Sequence, residues 1–342
     1  MSKVISIDHG NRLIKTINHI FPASFIEGSY QLGIGSNVLL YKGKTYTLTD
    51  ESLPVQNDKT QDDRYFILTL FALGKELERE ATRLEIAGML KKHIKQCPSD
   101  TIKVELLVGL PLQHFETHKK RFKRYFYNPD AEPLTIEYEF NKIPLKVCIA
   151  NATVYPQGYA AAFTVADRLQ GSRVVNIVDI GGYTVDCLQM TNFIPDATRC
   201  TSLYWGIMPL FESINSQVRA SGRNNIKDVI IEDILKKDKA ALEEYTEERI
   251  ALIHSAAQAH ANRMVAEIAA KGFDLEEDRT VFMGGGALLM KDYIKGTGKV
   301  LKPVFIHDIL GSESDDPEAI CVKANAIGYM SLFELQSRRK NT

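Results

Sequence analysis

The sequence predicts an α/β protein built from two related domains. Strand-like and helix-period segments alternate, an apolar-Asp-x-Gly turn occurs twice, and the two copies lie half a chain apart. The copies are Ile7-Asp8-His9-Gly10 and Val178-Asp179-Ile180-Gly181, with aspartates 171 positions apart in 342 residues. Each follows a β-branched run, from Lys3 and from Val174, and each precedes a second run, Leu13 to Ile17 and Thr184 to Met190. Both therefore read as strand, tight turn, strand.

The other elements follow from periodicity. Residues 30–49 read as a hairpin with Lys42-Gly43-Lys44 at its tip. Phe66, Leu70, Leu73, Leu77, Leu84 and Leu90 recur at helical spacing and predict one or two amphipathic helices across 64–96. Residues 103–110 form a mostly apolar strand closed by Pro111, and Phe115, Phe122 and Phe126 then mark one face of a basic helix. Beyond residue 205 the pattern turns helical: 207–220, 226–237, and an alanine- and glutamate-rich run over 239–271 that Gly272 stops. Thr280 to Gly286 reads as a strand meeting three glycines, with a helix from Ala287. Residues 311–318 read as an acidic loop, 319–335 as a final helix and 337–342 as a frayed tail.

Composition narrows the function classes. Forty-two basic and 43 acidic residues leave a formal charge of −1, against any broad coating of nucleic acid or anionic membrane. Five cysteines without a CxxC pair argue against a zinc ribbon or disulfide framework and for a reducing compartment. With no signal-peptide core and no long apolar run, the expectation is a soluble, cytoplasmic protein.

The repeated turn suggests its chemistry. Consecutive backbone N–H groups in such a turn attract an anion, and glycine lets a phosphate approach closely. A short acidic side chain at the strand end suits Mg²⁺ held through its water shell. Either turn alone is equally a hairpin whose Asp caps its own backbone. The third turn, Gly284-Gly285-Gly286, reads as a bare connector or as a platform for a flat nucleoside.

The order of two phosphate turns and a glycine-rich nucleoside turn resembles the actin-like ATPase superfamily, which includes heat-shock chaperone ATPases and sugar kinases. Tyr155 to Ala162 and Val322 to Met330 resemble its two connecting helices. The segments Ile7 to Lys15, Leu107 to Leu112, Pro156 to Tyr159 and Asp179 to Asp186 are most similar to ParM-type plasmid-segregation actins. The resemblance implies the actin/heat-shock-chaperone ATPase/sugar-kinase fold, two related α/β domains flanking a nucleotide cleft. It divides the chain into domain I, residues 1–150 plus 322–342, and domain II, residues 151–321.

By the same resemblance, Asp8 and Asp179 organise Mg²⁺. Gly10, Asn11, Gly181, Gly182, Tyr183 and Thr184 bind phosphates, Lys15 neutralises charge, and Gly284, Gly285 and Gly286 flank the nucleoside of ATP or GTP. Three departures stand out. Asn11 replaces the family's frequent serine, Tyr183 replaces a common threonine, and Thr153 falls where a Gln or Glu usually orients the attacking water. Asn151, Thr153 and Gln157 are the candidates for that role. Sugar kinases need a separate aspartate base, for which the sequence offers no distinct candidate, Asp186 alone being left open. The chain has no room for a chaperone's peptide-binding domain. The implied function is a nucleotide-hydrolysing filament, with a DNA-binding centromere adaptor as partner and no direct contact with DNA or membrane. A non-polymerising nucleotide-binding scaffold or a sugar-kinase-like phosphotransferase is the alternative.

Overall fold

The computed structural model describes all residues except 1, 29–36, 52–53, 55, 57, 87–100, 312–315 and 341–342. The chain divides into two compact units, Met1–Ala160 with Asn325–Thr342, and Ala161–Ala324. Each unit has its own hydrophobic core.

In the first unit, strand β1 (Lys3–His9) runs antiparallel to β2 (Leu13–Thr16) and parallel to β7 (Ile102–Leu110). Outside β2 lies β3 (Ile20–Pro22), and β7 pairs in parallel with β9 (Ile143–Pro156). The sheet continues through β8 (Thr135–Phe140), β5 (Val38–Tyr41), β6 (Lys44–Leu48) and β4 (Phe25–Glu27). The turn between β5 and β6 has Lys42 and Gly43 both at positive φ, the right-twisted hairpin expected at that tip.

In the second unit, β10 (Val174–Ile180) runs antiparallel to β11 (Val185–Thr191) and parallel to β13 (Arg279–Met283). Its flanks are β12 (Ile194–Leu203) and β14 (Pro303–Phe305). The order β12-β11-β10-β13-β14 repeats β3-β2-β1-β7-β9 strand for strand. The duplication read from two short motifs is thus a duplication of sheet topology. It extends to register, since Asp8 faces Lys15 and Asp179 faces Asp186 across their hairpins.

The helices cover these sheets as their periodicity requires. Helix Arg64–Ile86 buries Phe66, Leu70, Leu73 and Leu77, while Leu90 lies outside the described residues. Helix Leu112–Phe126 buries Phe122 and Phe126 and packs Phe115 against the same core. The alanine-rich run is two helices, Lys239–Glu244 and Glu247–Ala270. Thr246 caps the second by accepting from the N–H of Arg249, which a count of apolar spacings does not register. Residues 226–237 shorten to the helix Asp228–Leu235.

Three expectations change at the C-terminal end. Pro317 opens a short helix, Pro317–Val322, capped by Asp316, which takes in the last two residues of the segment 311–318 expected as an acidic loop, of which 312–315 lie outside the described residues. The apolar run therefore breaks at Lys323. The following helix, Ala324–Lys340, takes in most of the supposed tail, Asn341 and Thr342 lying outside the described residues. Arg338 and Arg339 suit the last turn because cations complement the negative end of the helix dipole. Among the described residues no helix is long and apolar enough to cross a membrane.

Helix Ala324–Lys340 lies against the face of β1, β7 and β9 that carries Ser6, Gly109 and Tyr155. The Ser6 hydroxyl donates to the Ala326 carbonyl at 2.6 Å, and Tyr155 stacks on Tyr329 with centroids 5.8 Å apart. A methyl group at Gly109 would fall 1.9 Å from the Tyr329 hydroxyl, so only glycine admits the helix at this distance. Gly109→Ala should cost about 1–3 kcal/mol through overpacking. Urea unfolding measures it; an unchanged midpoint contradicts this packing.

Candidate functional site

The first turn is built where β1 ends. Asp8 is the penultimate residue of the strand, with only 1% of its surface exposed. Its Oδ2 lies 3.0 Å from Lys15 Nζ across the hairpin, and its Oδ1 accepts from Gln157 Nε2 at 2.6 Å. Burial alone would raise the Asp8 pKa. The charges of Lys15 and Lys59 and the hydrogen bonds from Lys15 and Gln157 outweigh it and hold the carboxyl below its ordinary value. Asp8 is therefore a buried anion between a cation and an amide.

Around this pair the turn is tightly braced. His9 is fully buried, stacks on Phe126 at 5.6 Å, and shares a 2.8 Å hydrogen bond with the Thr69 hydroxyl. Burial first, then the Lys59 charge, brings its pKa from 6.5 to about 3. The Asn11 Oδ1 accepts from the Tyr65 hydroxyl at 2.7 Å and from the Gln56 N–H at 3.3 Å, leaving its NH₂ as the donor end. Gly10 lies beside Lys15, whose Nζ would be 2.8 Å from a methyl at that position.

The candidates for orienting water separate. Asn151 and Thr153 lie inside strand β9, not on a connecting helix, and both donate to Glu105 Oε1, at 2.7 and 3.3 Å. Thr153 pairs with Leu107, which pairs with Ser6, so it sits on the rung two residues before Asp8. That is about 7 Å short along the strand. Gln157 follows the end of β9, before the short helix Tyr159–Phe163, and reaches Asp8 itself.

The second turn has a different brace. Gly181 N donates to the Thr184 carbonyl at 2.9 Å and closes the hairpin. The carbonyls of Gly181, Gly182 and Tyr183 accept from Ile207, Met208 and Gly206 at 3.2, 2.7 and 3.1 Å, at the start of helix Ile207–Ala220. In a trans peptide the next residue's N–H points away from the carbonyl. The N–H groups of Gly182, Tyr183 and Thr184 thus turn away from that helix. A methyl at Gly206 would fall 2.6 Å from the Gly182 carbonyl, so this staple needs glycine. The Tyr183 side chain is half-buried.

Asp179 is half-buried at the end of β10, and its cross-strand neighbour Asp186 accepts from the Thr184 hydroxyl at 3.4 Å. Gly284, at φ 83°, caps helix Gly285–Gly296, so that helix begins within the glycine run and before Ala287. A methyl there would lie 2.4 Å from Asp179 Oδ1. The glycine run 284–286 and the second acidic strand end are therefore neighbours. Gly286 packs on Ile180, Gly285 faces Val322, and the Cys321 thiol donates to the Gly284 carbonyl at 3.4 Å. Burial, then the Asp179 charge, pushes that thiol up to about 12 and keeps it neutral.

Sequence reading missed Lys59, Tyr65 and Gly206. Gly206 had a signal, a glycine just before a helix; Lys59 and Tyr65 had none, because neither belongs to a motif. The basic stretch Lys119 to Arg124 is largely neutralised, with Lys119 on Glu116, Arg121 on Asp58 and Arg124 on Asp130. Among the described residues no group of three or more His, Cys, Asp or Glu side chains forms a metal cage.

Two family models match the chain. "Actin like proteins N terminal domain" matches residues 6–159, and "Archaeal actin homologue MreB-like, C-terminal" matches residues 177–296. No curated protein matches. Among solved structures the fold resembles the archaeal actin homologue Ta0583 in complex with ADP (TM-score 0.67, 16% identity, 97% of this chain and 99% of that one). Bacillus thuringiensis ParM with AMPPNP is similar at TM-score 0.65 and 12% identity, covering 98% and 99%. The Alp12 filament structure is similar at TM-score 0.59 and 15% identity, covering 97% and 99%.

His9 supplies a pH test of the first turn. Its folded pKa is depressed, so the unfolded chain binds the extra proton between pH 6.5 and about 3. Stability from this site is complete above pH 6.5 and is lost as pH falls through that window. His9→Phe should flatten the acid limb of the urea midpoint over that range. An acid limb identical to wild type would rule out a buried neutral imidazole.

Proposed function

We propose that this chain, which matches actin-like family models over residues 6–159 and 177–296, is an actin-like filament-forming protein that hydrolyses ATP or GTP. Its two Asp-ended turns take up the phosphates. The observation that carries this reading is the repeated turn. One copy has an ionised buried carboxylate beside Lys15 and Lys59, and the other has consecutive N–H groups turned away from a helix start. The nucleotide complexes of Ta0583 and of Bacillus thuringiensis ParM, and the filament of Alp12, support it by similarity of fold.

In this reading Gly10, Asn11, Gly181, Gly182, Tyr183 and Thr184 bind phosphate oxygens, Lys15 offsets their charge, and Gly284, Gly285 and Gly286 flank the nucleoside. Mg²⁺ fits as well. It keeps most of its waters and needs one or two carboxylates beside substrate phosphates, so the lack of a protein cage among the described residues is no obstacle. Asp8 and Asp179 would hold it through water, and when bound it neutralises phosphate charge. We assign the orientation of the attacking water to Gln157, ahead of Thr153 and Asn151. Its Nε2 is fixed on Asp8, which leaves Oε1 to accept from a water. In phosphoryl transfer such positioning, with charge neutralisation, supplies most of the catalysis.

Filaments assemble with bound triphosphate and lose stability after hydrolysis. Their cargo is plasmid DNA, reached through a DNA-binding centromere adaptor in the cytoplasm. Indirect DNA contact agrees with the net charge of −1 and the paired cations of helix Leu112–Phe126.

Phosphate release and sedimentation with Mg²⁺-ATP or Mg²⁺-GTP test the proposal. Wild type should pellet only with triphosphate, and Asp179→Ala should lose Mg²⁺-dependent release. A protein that stays monomeric at high concentration while hydrolysing nucleotide would remove the filament; wild-type hydrolysis by Asp179→Ala would remove the site. Gln157→Ala should still bind nucleotide but turn over about 100-fold more slowly, the scale of a lost general-base contact. Equal slowing in Thr153→Ala alone would move the role to that residue.

A further inference from the structure

Trp205 is the single tryptophan of the chain and stands immediately before Gly206, the residue that staples the second turn. One helix grips it at three points. His260 Nε2 donates to the Trp205 carbonyl at 3.0 Å, the Trp205 indole N–H donates to Glu267 Oε2, and the two rings meet edge to face with centroids 5.1 Å apart. His260 and Glu267 lie seven residues apart on helix Glu247–Ala270, two turns along one face. A carbonyl only accepts, so Nε2 of His260 carries a proton. Burial outweighs the opposing pull of that bond and lowers the His260 pKa, which leaves the ring neutral.

The contact to the carbonyl reaches further than the tryptophan. The Trp205 carbonyl and the Gly206 N–H belong to one planar trans peptide and point in opposite directions. Gly206 N–H donates to the Tyr183 carbonyl at 3.1 Å, and that carbonyl shares its own planar peptide with the Thr184 N–H. Helix Glu247–Ala270 is thus joined to the second turn by hydrogen bonds in series, from His260 to the 205–206 peptide and from that peptide to the 183–184 peptide. Each bond in such a series polarises the next, so a donor at one end strengthens the donor at the other. Burial of the indole holds the ring in place, but the His260 bond is what fixes the direction of the carbonyl. The series ends on the Thr184 N–H, and rotation of either peptide would turn it.

We infer that His260 is a positioning residue for phosphate: through the Trp205–Gly206 and Tyr183–Thr184 peptides it aims and polarises the Thr184 N–H that meets a phosphate oxygen. The inference rests on the nucleotide reading above and adds to it a residue from a helix outside both repeated turns. Glu267 holds the indole so that the Trp205 carbonyl faces His260. The phosphate chain, and not the nucleoside, is what this device acts on. Because Trp205 lies inside the hydrogen-bond series, its emission registers an anion at the far end.

The test compares wild type with His260→Leu, His260→Gln and Met264→Ala. It measures thermal melting, Trp205 emission, and affinity for Mg²⁺-ATP, Mg²⁺-GTP and the two nucleosides. His260→Leu removes the donor and keeps the bulk, and His260→Gln places an amide nitrogen where the imidazole Nε2 lies. Met264→Ala, at a fully buried position of the same helix, destabilises without touching the series. His260→Leu should bind the triphosphate about fivefold more weakly, the scale of one hydrogen bond, with nucleoside affinity unchanged. His260→Gln should recover most of that loss, and Met264→Ala should melt lower yet bind triphosphate as wild type does. Trp205 emission should change when wild type binds triphosphate and stay constant when it binds nucleoside. The inference is overturned if His260→Leu binds triphosphate as wild type does, or if Met264→Ala loses as much triphosphate affinity, the signature of a merely structural role. Triphosphate bound by wild type without a change in emission overturns it as well, whether or not the leucine variant folds. Wild type that binds neither triphosphate would instead overturn the nucleotide reading, and the inference with it.

Discussion

A carboxylate taken out of water stays ionised only if its surroundings replace the lost hydration, and that constraint organises the first unit. Asp8 meets it with Lys15 across a hairpin and Gln157 from beyond the end of β9. The hairpin register must hold to bring Lys15 opposite Asp8, since a shift of one residue would turn its side chain to the other face. Strand β9 must run its full length beside β7 to deliver Gln157. One ion pair thus ties together three strands and the loop that follows them.

The second unit reuses the same sheet order with a different balance of charge. Position 186 takes the place of Lys15 and carries a carboxylate, so the hairpin there has two acids across from each other. Its support comes from backbone: three turn carbonyls accept from Gly206, Ile207 and Met208, and that fixes the direction of three N–H groups. The duplicated topology therefore carries unlike sites, one with cations grouped about a buried acid, the other with amide donors beside half-buried acids.

Much of this was legible in the amino-acid order because it is local. Strand, turn and strand at Asp8 and Asp179 follow from β-branched runs and glycine, and the helices from apolar spacing. Where expectation and structure part, a capping or strand-pairing effect decided the matter. Thr246 split the long alanine-rich run, and Pro317 started a helix in an acidic segment. Asn151 and Thr153 stayed in a strand because β7 was there to pair with them. Their side chains then satisfied Glu105 and left the end of β1 to Gln157.

By itself the sequence determined the α/β class, the duplication, and the identity of the acidic and glycine-rich turns, since each depends on residues within a few positions of one another. Tertiary structure decided which groups meet those turns. Lys59 and Tyr65 lie some fifty residues from Asp8, and Gly206 more than twenty from Gly182. Contacts over such separations depend on how strands pair and helices pack, and no local pattern encodes them.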